Sequence, residues 1–232
     1  MQKYKYFLIL KVIAHIYTDF PTKFGIPRQS GIIGSLQGRI VFEPEYSNPE
    51  ALRGLEEFSH LWLIWEFSEA KRDTWSATVR PPRLGGNTRK GVFATRSPFR
   101  PNPIGLSSVE LDRIEMDQKL GPVLHVSGID LMDGTPIYDI KPYIAYTDSH
   151  PDAISGFATK PAEYLLEVKF PEDLIPMVPE RQRKSLMAVL AHDPRPQYQD
   201  DPDRVYGLAF GNMEVKFKVI QKTLVVQDLK II

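Results

Sequence analysis

Four short stretches hold the residue types best suited to chemistry. The first, Arg80 to Pro103 (RPPRLGGNTRKGVFATRSPFRPNP), carries Arg80, Arg83, Arg89, Lys90, Arg96 and Arg100 and no acidic residue. It does so in a chain whose 29 basic and 29 acidic side chains cancel. Cations this close repel one another unless an anion sits among them. Guanidinium forks match phosphate oxygens, and Gly85 and Gly86 allow a sharp turn or a close backbone approach. Two readings compete: a solvated loop paired with carboxylates from elsewhere in the chain, or a phosphate-backbone site for nucleic acid whose affinity falls steeply with salt. Pro98, Pro101 and Pro103 stiffen the segment around Arg100 and Asn102, which favours the second.

The second stretch, GIPRQSG (Gly25–Gly31), is an ordinary turn or a rigid loop presenting donors from Arg28 and Gln29. The third, SGIDLMDGTPIYDIKPY, contains Asp130, Asp133, Asp139 and Lys141. Asp133–Gly134 is a turn signal, so a structural role comes first for Asp133. Asp130 falls at a strand edge, where a carboxylate can take a ribose diol or an amine. The fourth, AHDPRPQY, places Asp193, Arg195 and Tyr198 on a loop between prolines, where a helix has to stop.

Several chemistries are excluded. There is no cysteine, hence no disulfide, thiolate zinc, iron–sulfur cluster or cysteine nucleophile. None of the five histidines stands in an HxxxH or HExxH spacing, so no metal is expected. No GxGxxG follows a strand, and neither a Walker A sequence nor a GxSxG elbow is present. Apolar runs such as LWLIW are far short of the ~20 residues of a spanning helix. The opening MQKYKYFLILKVIAH reads as a strand rather than a leader peptide. These features place the protein in the cytoplasm, away from membranes.

The elements that must position these residues are mostly strands. With 20 prolines and 15 glycines as punctuation, short β-rich runs recur: YFLILKVIAHIY, GRIVFE, SHLWLIWEF, KGVFATR, SSVELDRIEM, PVLHVSGIDLM and TPIYDIKPYIAY. Their regular spacing points to a barrel or strongly curved sheet. NPEALRGLEEFS reads as a helix or helical turn capped by Asn48. After about Tyr146 the composition changes. TDSHPDAISGFATKPA reads as a linker, EYLLEVKF as a strand and PERQRKSLMAVLAH as an amphipathic helix. Two or three strands follow, with turns near GN and QK. The expected architecture is mainly β: a barrel over 1–146 and a small α+β domain over 147–232.

Taken together, RPPRLGGNTRKGVFATRSPFRPNPIGLSSVEL, RGLEEFSHLWLIWEF upstream and GIDLMDGTPIYDIKPY downstream resemble the three blocks of the TsaA-like domain family, in the expected order. AHDPRPQYQ followed by VYGLAFGNMEVKFKV is similar to the C-terminal domain of full-length bacterial members of the TrmO type. The resemblance covers nearly the whole chain. It implies a single-sheet β-barrel methyltransferase domain, not a Rossmann fold, that uses S-adenosylmethionine and acts as a homodimer. The substrate it implies is tRNA at the anticodon stem-loop, methylated on N6 of N6-threonylcarbamoyladenosine at position 37.

By the same resemblance Arg28, Gln29, Ser30, Ser68, Glu69, Arg96, Leu106 and Ser127–Gly128–Ile129–Asp130 line the cofactor pocket; Ser30 stands where proline is common. Arg80, Arg83, Arg89, Lys90, Arg100 and Lys141 would contact RNA. Methyl transfer to an N–H lying between a purine and a carbonyl calls for a general base. Asp193 is the first candidate, Asp130 or Asp133 standing behind it. Arg195 would take the substrate carboxylate, and Tyr198 would stack on or bond to the base. Two other readings stay open: a non-catalytic S-adenosylmethionine- or RNA-binding module, and a methyltransferase acting on another RNA base.

Overall fold

The computed structural model describes residues 10–70, 74–158, 165–196 and 201–232. Period-two alternation builds the first half. In β3 (His60–Glu66), Leu61, Leu63 and Trp65 point inward and are buried, while the residues between them are not. The same pattern runs through β1 (Ala14–Thr18) and β2 (Gln37–Phe42). It recurs in the first half of β6 (Ile104–Asp117) and in β8 (Thr135–Pro142), whereas β7 (Gly121–Ser127) is buried on both faces over much of its length. These six strands close into a barrel in the order β1-β2-β7-β6-β3-β8, every pair antiparallel. Closure pairs each of the six strands on both sides over at least part of its length. Ile16, Ile40, Leu61, Leu63, Leu124 and Ile137 fill the interior.

Between β3 and β6 the chain forms a small hairpin, β4 (Thr78–Val79) with β5 (Lys90–Gly91). The run KGVFATR was expected as a full strand. It pairs only at its first two residues, and Val92–Ala94 then coil into a 3₁₀ turn. The Thr95 hydroxyl donates to the Val92 carbonyl at 2.8 Å, and the prolines that follow deny the ladder its N–H donors. NPEALRGLEEFS forms two 3₁₀ turns divided at Gly54 (φ 86°), and the Asn48 side chain caps the first by accepting from the Glu50 N–H at 3.0 Å. Part of the apolar start of the chain lies outside the described residues; β1 begins at Ala14.

The second half starts with a single helical turn, α1 (Ala145–Asp148). Its Asp148 accepts from the Ile144 N–H and the Trp62 indole N–H, which hold that carboxyl below its ordinary value. A four-stranded sheet follows, in the order β10 (Tyr206–Phe210), β11 (Met213–Ile220), β12 (Thr223–Ile231) and β9 (Glu167–Lys169), with β9 parallel to β12. Helix α2 (Glu180–Ala191) buries Gln182, Ser185, Leu186, Val189 and Leu190, one face at helical spacing. That face and the sheet dock on the barrel loop between β1 and β2. Gln182 donates to Asp19 at 2.6 Å, Ser185 to the Ser35 carbonyl at 2.6 Å, and the Gly211 N–H to the Asp19 carbonyl at 2.7 Å. Phe20 meets Phe210 edge to face at 5.4 Å. Among the described residues no helix is long and apolar enough to cross a membrane.

Candidate functional site

The site begins where two barrel strands part. β6 and β7 run as a ladder only as far as the pair Glu110–Ser127. Beyond it the first half of β6 pairs with β3 alone, and the other chain turns away at Gly128, whose φ of 73° suits glycine. The loop after Pro27 fills the fork. Its Gly31 N–H donates to the Gly128 carbonyl at 2.8 Å, and the Ser108 N–H donates to the Ser30 hydroxyl at 3.1 Å. Gln29 accepts from Arg96, so the same loop also grips the basic segment.

At the centre lies Asp130. The Ser107 hydroxyl donates to its Oδ1 at 2.6 Å, and the Trp65 indole N–H donates to the Ser107 oxygen at 2.9 Å. Burial pushes the Asp130 carboxyl above its ordinary value. Ser107, backbone N–H groups including that of Ser30, and the charge of Arg96 pull the other way without cancelling it. A proline in place of Ser30 would have neither that N–H nor the hydroxyl that accepts from Ser108. Sequence reasoning missed Ser107 and Trp65. The available signal was a serine at core-facing parity in a strand, between Gly105 and Val109, all three buried.

Gly105 makes room for this relay. A Cβ there would come within 2.2 Å of the Trp65 ring. Gly105→Ala is therefore expected to displace the indole and destabilise the protein by about 1–3 kcal/mol. Gly91→Ala, with open space around the site of its Cβ, should shift stability by less than about 0.5 kcal/mol. Thermal unfolding of the two variants makes the comparison.

The other proposed cofactor residues fall into two groups. Leu106 projects outward and is 56% exposed, and Arg28 and the 3₁₀ turn Ser68–Ala70 are also reachable from outside. That turn follows β3, where the Phe67 N–H donates to the Pro103 carbonyl at the start of β6. By contrast the Ser127 hydroxyl donates to Asp112 at 2.8 Å, and Ile129 is buried in the core. Those two side chains are committed to packing, so only their backbone could face a ligand. Next to the turn, the Tyr138 hydroxyl is pushed up to about 12 by burial and by its bond to the Glu66 carboxylate.

Asp193 and Arg195 form a closed fork. Arg195 donates from Nε to Oδ1 at 2.8 Å and from Nη2 to Oδ2 at 2.9 Å. Asp193 holds φ 52°, and Arg195 is buried. Their turn packs on the barrel: a Cβ at Gly25 would lie 3.7 Å from Pro194. Gly25 stands three residues before Arg28, a span of no more than ~11 Å. Tyr198 lies outside the described residues. Asp133 is explained structurally, because its Oδ1 accepts from the Thr18 N–H at 2.8 Å. It lines a separate cleft of about 400 Å³ between the barrel and α2.

Among the described residues no carboxylate pairs with Arg80, Arg89, Lys90 or Arg100, so the solvated-loop reading lacks its counter-ions there. Arg80 and Arg89 are exposed, and Arg89 donates to Thr78 at 3.1 Å. Lys90 stands 6.0 Å over the Phe157 ring, and Arg100 donates to the Thr95 carbonyl at 3.4 Å. Arg83 sits on the 3₁₀ turn Pro82–Leu84. Lys141, on β8, is ion-paired with Asp139 at 2.8 Å. Thr95 and Ser97 tie the segment down through side-chain bonds to the N–H groups two residues on. No group of three His, Asp or Glu that could hold a metal ion occurs among the described residues.

Comparison with known proteins covers most of the chain. Residues 15–149 match the model of the tRNA-methyltransferase O N-terminal domain and residues 163–232 that of the TrmO C-terminal domain. An Escherichia coli protein named tRNA (adenine(37)-N6)-methyltransferase is 39% identical over 215 residues, 89% of this chain and 91% of that protein. One of the same name from Eikenella corrodens is 47% identical over 163 residues, 70% of this chain and 91% of its own. A Pseudomonas aeruginosa protein whose provisional name is that of an S-adenosylmethionine-dependent methyltransferase is 41% identical over 211 residues, 88% of this chain and 89% of its own. The crystal structure of TrmO from P. aeruginosa superposes with a TM-score of 0.80 at 33% identity, covering 99% of this chain and all of that one. The chain belongs to the tRNA-methyltransferase O family.

Proposed function

We propose that this protein is an S-adenosylmethionine-dependent tRNA methyltransferase that methylates N6 of N6-threonylcarbamoyladenosine at position 37, beside the anticodon. The observation that carries the reading is the junction at the strand fork. One loop bonds on one side to the barrel around Asp130 and on the other, through Gln29, to Arg96 of a segment with six cations and no acidic residue. On this reading a small-molecule site and an anion-binding surface meet at one place.

The residues fit the cofactor. Asp130 is an acceptor held in orientation by Ser107 and suits the two hydroxyls of a ribose. Leu106, next to Ser107 in the chain, offers an outward apolar side chain. Arg28, Gln29, Ser30, Ser68, Glu69, Arg96 and the backbone of Ser127–Asp130 complete the proposed set. When bound, S-adenosylmethionine supplies an electrophilic methyl group on a positively charged sulfur. The protein's task is to hold the acceptor nitrogen in line with it, which contributes up to ~7–11 kcal/mol in favourable cases. That nitrogen is a poor nucleophile until its proton begins to leave, and Asp193 is assigned the proton. Arg195 is assigned the threonyl carboxylate, which would have to compete with Asp193 for the guanidinium fork. Arg80, Arg83, Arg89, Lys90, Arg100 and Lys141 take the phosphates of the anticodon stem-loop. The reading includes a homodimer working in the cytoplasm, where its tRNA substrate would be met.

Mass spectrometry of nucleosides tests it. tRNA carrying threonylcarbamoyladenosine and tRNA lacking it are each incubated with protein and S-adenosylmethionine. One added methyl on the modified nucleoside, and none in the other preparation, is the expected result. Methyl on neither, with cofactor binding intact, would point to a binding module; methyl on another base would change the substrate.

A further inference from the structure

The hairpin that carries the basic segment also exposes two large aromatic rings. The pairing Thr78–Gly91 is extended by a bond from the Val92 N–H to the Ala77 carbonyl at 2.9 Å. Val92 turns inward and is buried, which leaves Trp75 and Phe93 on the outside at the base of the hairpin. Trp75 is 52% and Phe93 72% exposed, and their rings stack with centroids 6.1 Å apart at 29°. Burying such rings in the protein would remove a large apolar area from water. Here each keeps a face open to solvent. From Thr74 to Val109 the chain has six cations and no acid. Phe93 lies three residues before Arg96, which grips the cofactor loop through Gln29, so its backbone is within ~11 Å of that arginine.

We propose that Trp75 and Phe93 form a stacking platform for unpaired bases of the RNA, placed at the rim of the methyl-transfer site and surrounded by the cations that hold the backbone. Charge selects the partner, because a segment without acidic residues, whose Arg80, Arg89 and Arg100 have no carboxylate partner among the described residues, attracts a polyanion. An open ring face suits a base, since every base has a π-face and stacking tolerates any sequence. A duplex stem presents no free base faces, so the platform takes loop nucleotides flanking the one that reacts. This rests on the tRNA reading above and adds to it a contact to bases rather than phosphates.

Binding of an anticodon stem-loop hairpin, and of the same hairpin with abasic loop positions, is measured across a salt series. The proteins are the wild-type chain, the Trp75→Ala/Phe93→Ala double variant, the Trp75→Phe/Phe93→Tyr double variant and Arg89→Ala. The alanine pair is expected to bind the intact hairpin about 5- to 150-fold more weakly for each stacked base, with the salt slope unchanged. The Phe/Tyr pair should bind nearly as the wild type does. Arg89→Ala should lower the slope by about one. On the abasic hairpin, wild type and alanine pair should bind alike, and the tryptophan fluorescence that wild type has beyond the alanine pair should be quenched only by the intact loop. Equal binding of the intact hairpin by wild type and alanine pair would overturn the platform, as would an equal loss on the abasic one. A change of sedimentation in the alanine pair without RNA would show instead that a second copy of the chain occupies these rings. If wild type and alanine pair both bind the hairpin and methylate tRNA equally, the platform falls and the tRNA reading stands. If wild type neither binds the hairpin nor transfers methyl, both fall.

Discussion

Asp130→Asn is expected to make the protein more stable at neutral pH while weakening S-adenosylmethionine binding about 10- to 150-fold. The two effects share one cause. Burial disfavours the charged form of Asp130 more than Ser107, the nearby N–H groups and Arg96 favour it, so its carboxyl lies above its ordinary value of 3.8 in the folded protein. Below about 3.8 the group is protonated whether the chain is folded or not, and it imposes no penalty. As pH rises past that value, the unfolded chain gives up the proton while the folded one still holds it, and stability falls. Above the folded-state value the full penalty remains. Asparagine has nothing to ionise, so the variant should unfold at a higher temperature than wild type near pH 7, and the difference should vanish in acid. Function moves the other way. A hydrogen bond accepted by a charged group contributes about 1.5–3 kcal/mol, the origin of the fold-change quoted. Thermal unfolding from acid to neutral pH and calorimetric titration with S-adenosylmethionine test both halves. A variant less stable at neutral pH would mean that the carboxylate braces the fork. Unchanged cofactor affinity would remove Asp130 from the pocket.

The second large effect belongs to Asp193 and Arg195. Asp193→Asn should slow single-turnover methyl transfer by about 10²- to 10⁴-fold if the carboxylate takes the proton. It should also cost about 3–5 kcal/mol of stability, because the amide keeps one of the fork's two acceptors, turns the other into a donor facing Nη2, and removes the negative charge that balances buried Arg195. Asparagine is the right probe, since Asp193 sits at φ 52° and Asn tolerates that region nearly as well as Asp. A double-mutant cycle separates the two effects. Stabilities of Asp193→Asn, Arg195→Ala and the double variant should be non-additive by about 0.5–3 kcal/mol, as for any contacting pair. In rate, a general base at Asp193 and a substrate contact at Arg195 predict that the double variant is at least as slow as Asp193→Asn. Recovery of rate in the double variant would show that the pair only braces the turn.

Much of the architecture was legible in the chain because it rests on local rules. Alternation in HLWLIWE put Leu61, Leu63 and Trp65 inside. The apolar face of PERQRKSLMAVLAH made a helix that ends at Ala191, before the proline, as proline chemistry requires. Where a local rule had a competitor, reading failed: GVFATR has strand composition, but the Thr95 hydroxyl and the prolines after it won the backbone of Val92–Ala94. Within the site, residue type was readable and partnership was not. Asp130 stood out, but nothing near it in sequence announces Ser107 or Trp65, because the two bonds of that relay join residues 23 and 42 apart. The bond between Ser108 and Ser30 spans 78.

The sequence alone therefore determined most of the barrel strands, where the long helix ends, that one segment carries six cations and no acid, and that the chain has no thiol chemistry. These follow from period, capping, proline geometry and charge count, each a property of neighbouring residues. Only the tertiary structure decided where β6 and β7 part, that a loop from the start of the chain fills the gap, and that Asp133 braces Thr18 while Asp130 faces the fork. It also decided that Asp193 and Arg195 close on one another and that two aromatic rings remain outside. Those outcomes depend on barrel closure and on burial, and both are set by segments far apart in the chain competing for one interior.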